Sequence, residues 1–85
     1  MPIDSTLTLT VYSRTYCHLC DEMITALRAL QGRLHFQLRI VDVDGDAALE
    51  HQHGEKVPVL AHGDRELCHY RLDPAAVTAY LADFR

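Results

Sequence analysis

The sequence predicts an α/β fold with the element order β-α-β-α-β-β-α. Short runs of alternating apolar and polar residues indicate strands, and longer runs with apolar residues at helical spacing indicate helices between them. A helix joins the first two strands, so we expect these strands to be parallel with a right-handed crossover. No linker, repeat or low-complexity tract divides the 85 residues, and we interpret residues 1–85 as a single domain with a four-stranded mixed sheet.

The first half of the chain predicts a β-α-β unit followed by a short helix. Residues 7–12 alternate as a strand does, and residues 34–40 predict a second strand that lies near an edge of the sheet because one of its faces is polar. Residues 47–51 predict a short helix, and Gly54 ends it. Between the two strands, residues 17–31 predict a helix, and its apolar face is formed by Cys20, Met23, Ile24, Leu27 and Leu30.

The second half predicts a hairpin and a final helix. Residues 57–61 and 66–70 are expected to form its strands, with a turn at residues 62–65. Asp73 followed by Pro74 is typical of a helix start, an N-cap residue before a proline at the first helical position. The apolar face of this helix is predicted to contain Val77, Tyr80, Leu81 and Phe84.

Composition and charge exclude some classes of protein. The net charge is −4, and the Lys and Arg residues are scattered singly, so we expect no nucleic-acid partner. No apolar run is long enough to span a membrane, and the first residues lack the pattern of a secretory signal. We therefore expect a cytoplasmic monomer, and three cysteines are compatible with that compartment.

Cys17 and Cys20 are the residues most suggestive of chemistry. Cys17 falls at the predicted helix N-terminus, where backbone N–H groups and the helix dipole favour a thiolate, so its pKa should lie below that of a free thiol. Cys20 falls one turn later on the apolar face, close enough to attack a mixed disulfide formed at Cys17. The alternatives are two core thiols, or half of a zinc site completed by His51 and His53, although plain surface histidines are the simpler interpretation.

The stretch from Val11 to Cys20 resembles the strand, basic residue and C-x-x-C site of the glutaredoxin family. Val57-Pro58 is similar to the Val-cis-Pro that faces the active site in the thioredoxin fold. With residues 68–71, these motifs most resemble short bacterial glutaredoxin-like proteins. The resemblance implies a thioredoxin fold and an electron-transferring thiol–disulfide oxidoreductase of cell redox homeostasis.

The resemblance also implies roles for individual residues. Cys17 would attack the disulfide of a protein or of a glutathione adduct, and Cys20 would resolve the intermediate. No metal or organic cofactor is expected, while glutathione or a reductase would restore the dithiol. Substrate-binding residues are then expected at Arg14, Tyr16, His18, Lys56, Val57 and Pro58.

Two departures from the family pattern limit what the resemblance implies. His18 replaces a proline, and its ring would favour the Cys17 thiolate if protonated. Residues 68–73 lack the glycines that receive glutathione in the family, so we expect weak glutathione binding. Cys68 is interpreted as a small buried hydrophobe. The other functions that stay open are a metal or iron–sulfur module using Cys17 and Cys20, and a redox-inactive adaptor.

Overall fold

A computed structural model describes residues 7–83 and confirms the predicted α/β class and element order. Phe84, expected on the last helix, lies outside the described residues. Within residues 7–83 no helix is both long and apolar enough to cross a membrane. The elements are β1 (Leu7–Ser13), α1 (His18–Leu30), β2 (Phe36–Asp42), α2 (Ala47–His53), β3 (Val59–His62), β4 (Arg65–His69) and α3 (Pro74–Asp83).

The four strands form one mixed sheet in the order β2-β1-β3-β4. β1 pairs in parallel with β2, as the connecting helix predicts, and β2 lies at an edge as expected. β1 and β3 are antiparallel, with Tyr12 opposite Val59. This register brings the chain entering β3, including Pro58, to the same end of the sheet as the chain that leaves β1 for α1.

The main hydrophobic core lies between the sheet and the helices α1 and α3. Leu9 and Val11 of β1 are completely buried and belong to the same cluster as Leu27 of α1 and Val77 of α3. The predicted inner face of α1 is confirmed, with Ile24 half-buried and the other members buried. α3 begins as predicted, because the Asp73 carboxylate accepts a hydrogen bond from the N–H of Ala76.

The predicted starts of two strands are wrong by two residues. β2 begins at Phe36 because Leu34 is held in a turn after α1, where its N–H donates to the carbonyl of Leu30. β3 begins at Val59, since Pro58 has no N–H to donate to a strand ladder. At the other end of the hairpin, Tyr70 leaves β4 with a φ of 65°. α2 continues to His53, two residues beyond its predicted end.

Candidate functional site

Cys17 is the N-cap residue of α1, and its sulfur is bonded to that of Cys20. The backbone of Cys17 is extended, and its Sγ accepts a hydrogen bond from the N–H of Cys20 at 3.1 Å. The two Cα atoms are 5.1 Å apart. Cys17 is half-buried, whereas Cys20 is only 1% exposed. An incoming reagent therefore has access to the first sulfur and not to the second.

The start of α1 gives Cys17 an environment suited to a thiolate when the pair is reduced. A hydrogen bond from a backbone N–H and the positive end of the helix dipole both stabilise a sulfur anion. The thiolate is the nucleophile of disulfide exchange, and a second thiol one turn away allows an intramolecular disulfide to form. The Cys17–Cys20 bond is the disulfide that such an intramolecular step would form.

Val57 and Pro58 lie at the same end of the sheet, on the segment that enters β3. Their peptide bond is cis, as the family resemblance implies, and Pro58 is completely buried. The carbonyl of Pro58 accepts a hydrogen bond from the N–H of Tyr70 at 2.9 Å. Within residues 7–83 the N–H and C=O of Val57 make no backbone hydrogen bond, which leaves them able to pair with an extended ligand.

Arg14 precedes the cysteines, and its guanidinium is engaged with the end of α2. Its Nη2 lies 2.6 Å and 2.8 Å from the carboxylate oxygens of Glu50, and it donates to the carbonyl of Gly54 at 3.1 Å. The hydrogen bond with Glu50 raises the pKa of Arg14 despite partial desolvation. Arg14 thus ties the loop of Cys17 to the segment that leads to Pro58.

Lys56 is likewise paired within the protein. Its Nζ lies 2.6 Å from one oxygen of Glu66, and the Nδ1 of His69 lies 2.6 Å from the other. These hydrogen bonds, from Lys56 first and His69 second, lower the pKa of Glu66. The two cations that sequence reasoning offered for substrate carboxylates, Arg14 and Lys56, therefore both face carboxylates of the protein itself.

Tyr16 and His18 flank Cys17 and project into solvent. Tyr16 is fully exposed and adopts a φ of 60°. The side chain of His18 is 90% exposed, and its Nε2 lies 3.3 Å from the carboxylate of Glu22. Neither side chain is held in place by burial against the rest of the protein.

His53 is not the surface residue that the sequence suggested. The residue is 8% exposed, and its ring stacks on the ring of Tyr12. Among residues 7–83 no three His, Cys, Asp or Glu side chains cluster in a way that would hold a metal ion. The residue lies in the last turn of α2, against β1.

Tyr70 is the residue near the site that sequence reasoning missed. Besides its N–H bond to Pro58, its hydroxyl donates to the carbonyl of Glu55 at 3.0 Å. Tyr70 also lines a groove of about 280 Å³ beside α1, together with Leu19, Met23 and Leu72. The available signal was the place of Tyr70 in the motif that stands where the family has glycines, but the sequence does not reveal these contacts.

Cys68 lies on β4, away from the disulfide pair along the chain. It is a free thiol, half-buried, and packs against the main core. Burial raises the pKa of its thiol, although a backbone hydrogen bond from Asp73 opposes that effect. This environment is that of a small apolar side chain.

Comparison with known proteins places this geometry among related chains. Residues 8–82 match the family model described as Glutaredoxin-like domain (DUF836). Protein Ne2328 from Nitrosomonas europaea is 44% identical over 92% of this chain and 94% of its own, with a TM-score of 0.82. Protein XcR50 from X. campestris is 38% identical over 88% of this chain and 96% of its own, with a TM-score of 0.69.

The fold also occurs in more distant structures. The thioredoxin Deadhead from Drosophila melanogaster is 22% identical over 96% of this chain and 84% of its own, with a TM-score of 0.60. That likeness identifies the architecture described above as a thioredoxin fold. No match was found among curated proteins.

Proposed function

The chain belongs to the glutaredoxin-like domain family, and from that premise we propose that it is a thiol–disulfide oxidoreductase with Cys17 as nucleophile and Cys20 as resolving thiol. One observation carries the proposal. Cys17 caps α1 with an accessible sulfur that accepts a backbone hydrogen bond, while its disulfide partner Cys20 is buried. This asymmetry supports different roles for the two sulfurs.

The proposed reaction consists of two exchanges that transfer two electrons to the substrate. The Cys17 thiolate attacks one sulfur of the substrate disulfide, forms a mixed disulfide and releases the other substrate sulfur as a thiolate. Cys20, once deprotonated, attacks Cys17 Sγ, which forms the Cys17–Cys20 bond and releases the second substrate thiolate. Glutathione or a reductase then returns two electrons to the pair. No resident metal or organic cofactor takes part.

We propose protein disulfides as better substrates than glutathione mixed disulfides. Arg14 and Lys56, the cations available for the carboxylates of glutathione, are paired with Glu50 and Glu66. Residues 68–73 lack the glycines that the family has in this region, and we expect side chains such as those of Tyr70 and Arg71 to crowd a glutathione ligand. The unpaired backbone of Val57 favours an extended polypeptide, which would add as a short strand.

The same proposal includes the setting in which the protein acts. A dithiol that must be restored by glutathione or a reductase is compatible with the reducing cytoplasm. We propose that the protein works there as a monomer that docks its substrates transiently. No nucleic acid and no membrane surface is part of this proposal.

Trapping of the intermediate tests the two roles. We expect Cys20→Ser to accumulate a covalent complex with a disulfide-containing protein, because the first exchange proceeds and the second cannot. Cys17→Ser should form no such complex, and Cys68→Ser serves as the matched control with wild-type turnover. Mass spectrometry of the complexes identifies the linked cysteine. Trapping by Cys17→Ser through Cys20 would reverse the assignment, and no trapping by either variant would reject the function.

A further inference from the structure

We infer that Tyr70 is a positioning residue that, through its hydroxyl group, fixes the Glu55–Pro58 segment at the end of the sheet where Cys17 lies. The inference rests on the proposed function, because its role is to place the substrate-pairing backbone of Val57. Tyr70 makes contacts at both ends of this segment. Its N–H donates to the carbonyl of Pro58 at 2.9 Å, and its hydroxyl donates to the carbonyl of Glu55 at 3.0 Å.

The segment that Tyr70 contacts is not part of a helix or a strand. It lies between the end of α2 and the start of β3, outside both elements. Arg14 holds its upstream side through the carbonyl of Gly54, and Lys56 contacts Glu66 through an exposed ion pair. Exposed ion pairs contribute little and are screened by salt. Within the segment, the N–H of Lys56 donates to the carbonyl of His53 at 2.8 Å. The Tyr70 hydroxyl is the side-chain contact that joins the Glu55 carbonyl to the chain after β4.

The backbone of Tyr70 supports a specific role for its side chain. Its φ of 65° lies in the left-handed region, which is unfavourable for an aromatic residue and easy for glycine. A residue in such a conformation points to a constraint that outweighs the local cost. Only the side chain distinguishes tyrosine from glycine here, and that side chain ends in the hydrogen bond with Glu55.

The position of the segment matters because a substrate must meet two parts of the protein at once. Its sulfur must reach Cys17, and its backbone must pair with Val57, which the β1–β3 register places at the same end of the sheet. A fixed segment holds these two contact points at a constant separation, which lowers the cost of ordering them on binding. Loss of the Tyr70 hydroxyl should therefore weaken binding of extended polypeptides and leave the chemistry at the sulfur intact.

The variant Tyr70→Phe removes the hydroxyl and keeps the aromatic ring, so the groove beside α1 keeps its wall. We expect KM for a protein disulfide to rise by roughly two- to tenfold, the effect of losing one neutral hydrogen bond, with kcat nearly unchanged. The rate at which iodoacetamide alkylates Cys17 in the reduced protein should stay the same. Amide hydrogen exchange at Lys56, whose N–H donates to the carbonyl of His53, should become faster because the segment is less tightly held.

Tyr12→Phe is the matched control, because it removes a hydroxyl that makes no hydrogen bond within residues 7–83 and leaves ring stacking in place. It should alter neither KM nor hydrogen exchange at Lys56. An unchanged KM or unchanged hydrogen exchange in Tyr70→Phe would overturn the inference. A fall in the rate of Cys17 alkylation as large as the rise in KM would overturn it too. Absence of disulfide turnover by the wild-type protein would instead reject the proposed function, so the two failures are separable.

Discussion

The imidazole of His53 stacks on the phenol ring of Tyr12, with the ring centroids 4.1 Å apart and the planes inclined by 21°. The contact joins the last turn of α2 to β1, on the side of the sheet opposite to Val11. The Nδ1 atom of His53 is buried and has no hydrogen-bond partner among the described residues. Burial, together with the positive charge of Lys56, lowers the pKa of His53 from its ordinary value of 6.5.

This lowered pKa predicts that the protein loses stability on mild acidification. As the pH falls below 6.5, the unfolded chain binds a proton at His53 before the folded protein does, so the free energy of unfolding decreases. In His53→Phe, which keeps an aromatic ring, urea unfolding should depend less on pH between 7 and about 5.5. His51→Gln, at an exposed position of the same helix, is the control. A pH dependence in His53→Phe equal to that of the wild type would contradict the prediction.

The Lys56–Glu66 ion pair predicts that removal of the Glu66 carboxylate lowers KM for a glutathione mixed disulfide. Glu66→Gln weakens the 2.6 Å contact with Lys56 and makes its ammonium available to a ligand. We expect KM for a glutathione mixed disulfide to fall about two- to threefold, with a stability change below about 1 kcal/mol. Steady-state kinetics measures the first and urea unfolding the second.

Two further variants test whether a lower KM is due to Lys56 or to the change in charge. Glu55→Gln removes the same charge from an exposed neighbouring side chain and should leave KM unchanged. The gain should disappear when Lys56→Gln is added to Glu66→Gln. A gain that survives this double substitution would show that general charge, and not Lys56, controls glutathione binding.

The environments of the three thiols predict a fixed order of reactivity in the reduced protein. Cys17 should react with iodoacetamide at least about tenfold faster than Cys68, whose pKa is raised by burial, and faster than the buried Cys20. Peptide mass spectrometry across a pH series measures all three rates. In urea the differences should disappear. Equal rates at the three thiols in the folded protein would remove the basis for assigning Cys17 as nucleophile.

Gly54 predicts a steric effect at the end of α2. A Cβ added there would lie 2.5 Å from the carbonyl oxygen of Glu50, a contact that cannot form without movement of the backbone. We expect Gly54→Ala to lower the free energy of unfolding by about 1–3 kcal/mol. Gly32→Ala, whose added Cβ would lie 3.2 Å from the Ala29 carbonyl, should cost less. Urea unfolding that ranks these two variants in the opposite order would show that α2 accommodates the added carbon.

The features that local pattern predicts well are those that depend on neighbouring residues in the chain. The apolar spacing in α1 predicts the burial of Met23 and Leu27, and the Asp73-Pro74 pair predicts the start of α3. The wrong start of β2 at Leu34 also comes from reading local pattern alone. Apolar and polar residues already alternate from Leu34, but the turn that ends α1 keeps Leu34 out of the strand. The presence of a strand can be predicted from sequence. The residue at which it begins depends on hydrogen bonds to a neighbouring strand.

The side-chain partners at the site could not be predicted in this way. Arg14 meets Glu50, and Lys56 meets Glu66, only because the fold brings separate elements together. The sequence indicates which cations lie near the cysteines. It does not reveal that each of these cations is already paired with a carboxylate of the protein. The same holds for Tyr70, whose left-handed backbone and bond to Glu55 depend on the path of the chain after β4.

Because β1 lies between β2 and β3, the protein cannot complete its sheet until late in synthesis. The β1-α1-β2 unit is synthesised before β3 and contains both Cys17 and Cys20. The pairing of β1 with β3 joins segments far apart in sequence, and such pairings form slowly because a long loop must be closed. A nascent chain therefore contains Cys17 and Cys20 before Val57 and Pro58 can be brought to the same end of the sheet.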